Sequence, residues 1–250
     1  MTLLSGKRAL ITGGGSGIGA ATAARFAREG ATGVVLDLAP ALAAATLPDG
    51  WEGVPIDLLD DGSIDAAFAR VREIAPQLDV VVAAAGVVPP WRTVAETDLA
   101  EWDSVMGVNA RGLVATLKNA APLLNDNGAV VVIGSLNSWR GDANLTAYAA
   151  SKHAALGVVR SAALDLGRRG IRVNGVAPGP IATDALLARM ARREAEGGLP
   201  VADALAQAAK GTALGRTATP EDVAAATLFL ASDLAAGVTG HLLPVDGGIA

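Results

Sequence analysis

Seven short apolar runs punctuate the chain, at residues 8–12, 33–37, 54–57, 80–84, 129–133, 171–177 and 242–245. Unbroken runs of that length suit strands buried on both faces, as in a parallel sheet. Between them the pattern turns helical, most clearly over 63–75, 109–124, 147–168 and 220–231. The last of these opens on Pro220-Glu221-Asp222, a proline in the first turn and then acids facing the positive end of the helix dipole. Gly170 is placed to end the helix before the sixth run. The stretch between the second and third runs is short, so a helix there must be abbreviated. Strands and helices thus alternate with no internal repeat and no low-complexity linker. That order predicts one α/β domain over residues 1–250, doubly wound, with a seven-stranded, mostly parallel sheet and helices on both faces.

The turn after the first run carries the first chemistry. Thr12-Gly13-Gly14-Gly15-Ser16-Gly17-Ile18-Gly19 follows Ala9-Leu10-Ile11 and precedes a helical stretch at 20–27. At such a strand-to-helix turn, backbone N–H groups and the helix dipole cradle a pyrophosphate. Gly13 permits the tight turn, Gly17 the close approach of a ligand, and Gly19 the close packing of helix on sheet. The second run ends in Asp37, a little over twenty residues beyond Gly13. An acid there accepts hydrogen bonds from both ribose hydroxyls of NAD and repels the 2′-phosphate of NADP. The set predicts a Rossmann-like dinucleotide site that favours NAD. A flexible loop followed by a solvated aspartate is the alternative reading.

Tyr148 is the one tyrosine in the chain, and Lys152 lies four residues after it. On a helix that spacing puts both side chains on one face, about 5–6 Å apart at Cβ. A positive neighbour favours the phenolate of a group whose free pKa is about 10, so the pair can act as a base.

Composition narrows the class. The net charge is −5 and the pI near 5.0, which argues against a nucleic-acid surface. No apolar stretch approaches the roughly 20 residues that span a bilayer, and the opening residues lack the order of a signal peptide. The absence of cysteine removes disulfides, thiolate catalysis and cysteine zinc sites. His153 and His241 have no partner at metal-ligand spacing, so no metal site is expected. Asp60 and Asp61 read as a solvated turn and a helix start. These features suggest a soluble, cytoplasmic protein.

Together the motifs resemble the short-chain dehydrogenase/reductase family from Lys7 to Gly248. Besides the glycine loop and the Tyr148/Lys152 pair, the chain has Asn109 in a helical stretch and Ser135 thirteen residues before Tyr148. It also has Asn174 within Val173-Asn174-Gly175-Val176-Ala177-Pro178-Gly179, and the ending Val245-Asp246-Gly247-Gly248. The resemblance implies catalysis by Asn109, Ser135, Tyr148 and Lys152. Tyr148 would exchange a proton with the substrate oxygen, Lys152 would lower its pKa and hold the nicotinamide ribose, and Ser135 would hold the substrate oxygen. Asn109 would anchor a water that leads protons from Lys152 to solvent. Further cofactor contacts implied are Asp57 with Leu58, Ala85-Gly86, Pro178-Gly179, Ile181 and Thr183. Ser16 replaces the basic residue common in NADP-preferring relatives. Where the family shows Asn-Asn-Ala-Gly, this chain has Ala83-Ala84-Ala85-Gly86, which removes side-chain support from the sheet. Taken singly, each residue also has a structural reading: core aromatic, solvated lysine, turn serine or helix-capping asparagine.

The substrate is less legible. Trp91, Asn137, Trp139, Leu186 and Met190 suggest a largely apolar pocket under a lid at about 184–212, hinged at Gly197-Gly198 and Gly211. Arg189, Arg192 and Arg193 read as the wet face of an amphipathic lid helix, with an anionic substrate as the alternative. The leading expectation is an NAD-dependent interconversion of a secondary alcohol and its ketone, in a homotetramer of the kind common in the family. A 3-oxoacyl thioester reductase and an NAD-binding sensor or scaffold without turnover are the alternatives.

Overall fold

Valine, isoleucine and leucine crowd the strands, and alternate positions along them point to opposite faces of the sheet. The computed structural model describes residues 2–249. Its strands are β1 (Arg8–Thr12), β2 (Thr32–Asp37), β3 (Trp51–Pro55), β4 (Leu78–Ala83), β5 (Leu124–Ile133), β6 (Arg172–Pro178) and β7 (Leu242–Val245). They form one sheet in the order β3-β2-β1-β4-β5-β6-β7, and every pairing is parallel. Leu10, Val34, Val81 and Val130 enter the core on one face, and Ile11, Val35, Val82 and Val131 enter the core on the other. Each such side chain, fully buried, contributes about 1.5–3 kcal/mol.

The helices are α1 (Gly17–Arg28), α2 (Ala39–Ala44), α3 (Asp61–Ile74), α4 (Leu99–Met106), α5 (Gly112–Ala120), α6 (Thr146–Leu166), α7 (Asp184–Ala195), α8 (Val201–Lys210) and α9 (Pro220–Ala231). Phe68 of α3, Leu113 of α5 and Val159 of α6 cover one face of the sheet. Phe26 of α1 and Val223 and Leu228 of α9 cover the other. Strand order reverses between β1 and β4, which opens a crevice beyond the C-terminal strand ends, where ligands bind in sheets of this kind. Among the described residues, no helix is long and apolar enough to cross a membrane.

Several boundaries differ from the pattern. β3 begins at Trp51 rather than Val54, because Trp51 is buried and its indole N–H donates to the Ala31 carbonyl at 3.3 Å. The expected helix over 109–124 is divided. Asn109 lies in a π-helical turn (Gly107–Arg111), α5 ends at Ala120, and a 3-10 turn with Pro122 leads into β5 at Leu124. α4 was not expected; Val105 is its one buried residue, so it shows no apolar stripe. Gly170 adopts φ +69 after a short 3-10 turn that follows α6, as its position predicts. α2 is six residues long, the abbreviated helix expected. At Ala83-Ala84 the backbone supplies what the side chains lack: the Ala84 N–H donates to the Thr12 carbonyl at 3.1 Å.

Candidate active site at the C-terminal strand ends

The glycine loop closes off β1 under tight steric control. Gly13 sits at φ +68 with its N–H donating to the Leu36 carbonyl at 2.7 Å. A Cβ there would lie 2.6 Å from the Ala85 backbone. Gly17 also has positive φ, and a Cβ on Gly19 would overlap the Gly13 carbonyl oxygen. Bare backbone is therefore required here, and it faces a cleft of about 950 Å³. Asp37, at the end of β2, accepts from the N–H groups of Gly15 and Leu38, both at 2.8 Å.

The cleft gathers all of the residues expected to contact a cofactor. Gly13, Ser16, Gly17, Ile18 and Gly19 line it, as do Asp37, Asp57 and Leu58. Ala85 and Gly86 follow β4 into it, and Pro178, Gly179, Ile181 and Thr183 enter from the end of β6. A glycine cradle at a helix N-terminus with an acid on the next strand suits a dinucleotide. Its size fits such a ligand together with a small substrate.

Tyr148, Lys152 and Ser135 line the same cleft. Tyr148 and Lys152 sit one turn apart on α6, with the Lys152 Nζ 5.6 Å from the centre of the Tyr148 ring. Lys152 is buried and donates to the Ile133 carbonyl at 2.9 Å. Burial lowers its pKa to about 8. Ser135 begins a 3-10 turn after β5, where its Oγ accepts from the Asn137 N–H at 3.1 Å, and its side chain lies beside the Tyr148 phenol. The expectation that the neighbouring lysine leaves the phenol easier to ionise is not met in this structure. Burial is the larger effect and raises the Tyr148 pKa, while Ser135 and the charge of Arg189 pull it down and Asp142 pushes it up.

Asn109 stands apart from the cleft. Its side-chain amide donates to the Val87 carbonyl at 2.9 Å and to Ser151 Oγ at 3.0 Å, and it accepts from the Val87 N–H at 2.8 Å. It clamps the segment after β4 to α6, the helix that carries Tyr148. A small void of about 10 Å³, near the volume of one water, lies between Asn109, Lys152, Thr116 and Thr12.

At the other end of the cleft, Trp91, Asn137, Leu186 and Met190 line the wall as expected. Trp139 does not: it is 44% exposed and lies outside the cleft, because it follows a 3-10 turn whose buried members are Leu136, Asn137 and Ser138. The three arginines of α7 differ. Arg192 is exposed; Arg193, also exposed, has its guanidinium carbon 5.1 Å from the centre of the Trp91 ring; Arg189 lines the cleft with its guanidinium carbon 4.0 Å from that centre. Helical spacing carried that signal, since Arg189 and Arg193 lie three and seven residues after Leu186, along one side of α7. Asp142 also lines the cleft and was not anticipated; its carboxylate accepts from Asn137 Nδ2 at 3.2 Å.

Comparison with known proteins places this geometry in a family. A family model described as "Enoyl-(Acyl carrier protein) reductase" matches residues 13–250. The chain is 41% identical over 257 residues to the "(-)-isopiperitenol/(-)-carveol dehydrogenase, mitochondrial" of Mentha piperita, with 98% of this chain and 94% of that one covered. It is 39% identical over 249 residues to the "Cis-4-hydroxycyclohexanecarboxylate dehydrogenase" of Sinomonas cyclohexanicum, covering 96% and 95%. The crystal structure of a short chain dehydrogenase family protein from Francisella tularensis subsp. tularensis SCHU S4 superposes with a TM-score of 0.90 at 26% identity, over 97% of this chain and 98% of that one. The seven-stranded parallel fold is thus shared along with the sequence, and the chain belongs to the short-chain dehydrogenase/reductase family of oxidoreductases.

Proposed function

We propose that the protein interconverts a cyclic secondary alcohol and its ketone with NAD(H), using Tyr148 as the proton-exchanging group. The observation that carries this reading is the meeting, in one cleft, of the Tyr148 phenol, the Ser135 hydroxyl and the bare glycine cradle. Relatives named for carveol and hydroxycyclohexanecarboxylate oxidation support a ring alcohol, and the apolar side chains of Leu186, Met190 and Trp91 offer such a ring a surface.

Gly13, Ser16, Gly17, Ile18 and Gly19 would hold the pyrophosphate, Asp37 the adenosine ribose, and Asp57 and Leu58 the adenine. Ala85, Gly86, Pro178, Gly179, Ile181 and Thr183 would position the nicotinamide half. The bound nicotinamide supplies a hydride acceptor in oxidation and a hydride donor in reduction. In oxidation the Tyr148 phenolate takes the hydroxyl proton as the substrate carbon loses hydride; in reduction the phenol returns that proton. Ser135 holds the substrate oxygen through a bond that strengthens as negative charge develops there. Lys152 places a positive charge beside the phenol, and the void it shares with Asn109 suits one water on a proton path out. The charge of Asp37 favours NAD over NADP.

α7 and α8 would form the lid, turning at Gly197, whose φ is +90. Exposed Val114 on α5, Leu164 on α6 and Leu243 on β7 support a homotetramer built on those surfaces. The cytoplasm is the expected compartment, although the Mentha piperita relative is described as mitochondrial.

The test is NAD⁺ reduction with cyclohexanol, carveol and a 3-hydroxyacyl thioester, with NADP⁺ and Tyr148→Phe in parallel. Turnover of a ring alcohol with NAD⁺, falling by at least about 100-fold in the mutant, is expected. Preference for the thioester with NADP⁺ would favour a 3-oxoacyl thioester reductase. Tight NADH binding without turnover would favour a sensor or scaffold.

A further inference from the structure

We infer that Arg189 recognises a carboxylate on the substrate, so that the preferred substrate is a compact ring alcohol carrying an acid group, or the corresponding keto acid. The inference rests on the proposed dehydrogenase reading and names the substrate class of that site.

Arg189 occupies an unusual place for an arginine on a lid. It is half-buried on α7, its guanidinium lies 4.0 Å from the centre of the Trp91 ring, and both residues line the cleft that holds Tyr148. Its Nε and one terminal nitrogen are sealed from solvent without any hydrogen-bond acceptor. Among the described residues it joins no ion pair within 4.0 Å and donates no hydrogen bond. Asp142 is close enough for its charge to act on Arg189, but it forms no ion pair or hydrogen bond with it; one of its oxygens accepts from Asn137 Nδ2. A buried cationic donor without a partner is costly, so a fork of N–H groups held this way points to an acceptor that arrives with the ligand.

The chemistry of that acceptor follows from the donor. A guanidinium presents parallel N–H groups that match a carboxylate two-to-two, and stacking on Trp91 fixes the plane in which they point. Arg189 lies on the substrate side of the cleft, with Trp91, Tyr148 and Asp142 for neighbours, whereas the glycine cradle meets Asp37 at the other end. A ring alcohol with its hydroxyl at Tyr148 and its acid at Arg189 satisfies both ends, with Leu186 and Met190 against the ring.

The experiment uses the full chain with NAD⁺ and three alcohols: cyclohexanol, the hydroxycyclohexanecarboxylic acids (3- and 4-isomers), and their methyl esters. Wild type is expected to show kcat/KM about 10- to 100-fold higher for an acid than for its ester, the range for a hydrogen bond to a charged group. Arg189→Met abolishes that preference and Arg189→Lys restores only part of it, since an ammonium lacks the fork. Arg192→Met, on the exposed side of α7, keeps it. A binding measurement stands beside the kinetics: cyclohexanecarboxylate, which has no hydroxyl to oxidise, is titrated by calorimetry into the protein with NADH. Arg189→Met is expected to weaken this binding by about 10- to 100-fold. Equal use of acid and ester by wild type, or acid preference and binding that survive Arg189→Met, would overturn the inference. Binding of cyclohexanecarboxylate through Arg189 with no turnover of any alcohol would support the anion site and count against the dehydrogenase reading. Turnover of cyclohexanol with no acid preference would do the reverse.

Discussion

Lys152 Nζ donates to the carbonyl of Ile133 at 2.9 Å, so the last residue of β5 holds the ammonium of α6 inside the protein. Burial lowers the pKa of that ammonium from 10.5 to about 8. Its folded-state pKa therefore lies below its unfolded value, and between pH 8 and 10.5 the unfolded chain binds more protons. Its contribution to stability is complete above pH 10.5 and is lost as pH falls to about 8. Relative to Lys152→Met, wild type is expected to gain roughly 3 kcal/mol across that window. Urea unfolding of both proteins at several pH values measures this, and a constant difference would show that Lys152 is not desolvated.

Tyr148 makes oxidation and reduction respond oppositely to pH. Burial raises its pKa, so the phenol holds its proton at neutral pH. The proton needed for ketone reduction is then in place, whereas oxidation requires its loss. For oxidation, kcat/KM is expected to climb with pH, by up to about tenfold per unit below the pKa; for reduction it should stay flat and then fall. Because the charge of Arg189 pulls the phenol pKa down, Arg189→Met should move both limbs to higher pH. Initial rates in both directions from pH 6 to 10 test this.

Asp37 has two jobs that one substitution can separate. Its carboxylate accepts from the N–H groups of Gly15 and Leu38 and also carries the charge that would repel a 2′-phosphate. Asp37→Asn removes the charge and keeps one of the two acceptor oxygens, so one of the bonds from Gly15 and Leu38 is lost. The NADP⁺ to NAD⁺ ratio of kcat/KM is expected to rise by about tenfold or more, while the melting temperature falls by only about 2–4 °C. An unchanged ratio would assign selectivity elsewhere in the cleft.

Gly13 tests the cradle without touching any proposed catalytic group. Gly13→Ala brings a Cβ within 2.6 Å of the Ala85 backbone at a φ of +68. Strain and overlap together should cost about 3 kcal/mol, lowering Tm by about 10 °C and weakening NADH binding. Calorimetric melting and NADH fluorescence report the two effects, and a wild-type Tm would mean that the loop relaxes freely.

The fold and the glycine turn after β1 were legible because both are local in sequence. Strand positions follow from apolar runs, and the order of strand, glycines, helix and acid lies within residues 8–37. The Tyr148/Lys152 pair is one turn of helix, and α6 carries it as expected. The misreadings arise where burial comes from distant segments. Trp51 starts β3 because Gly33 and Ala31 receive it, although Glu52 and Gly53 interrupt the apolar pattern. Trp139 looks like a pocket residue from its distance to Ser135, but the turn after β5 points it outward.

What the chain alone determined is therefore the alternation of strands and helices, the doubly wound class, and a family motif set whose members sit at fixed short spacings. Those depend on backbone geometry and side-chain period, which act over a few residues. The tertiary structure alone decided that Tyr148 is harder to ionise than its lysine neighbour suggests, because burial is contributed by segments far apart in sequence. It also decided that Asn109 clamps Val87 to Ser151, and that Arg189 turns inward onto Trp91 while Arg192 faces water. Desolvation, clamping and stacking need partners that only packing brings together.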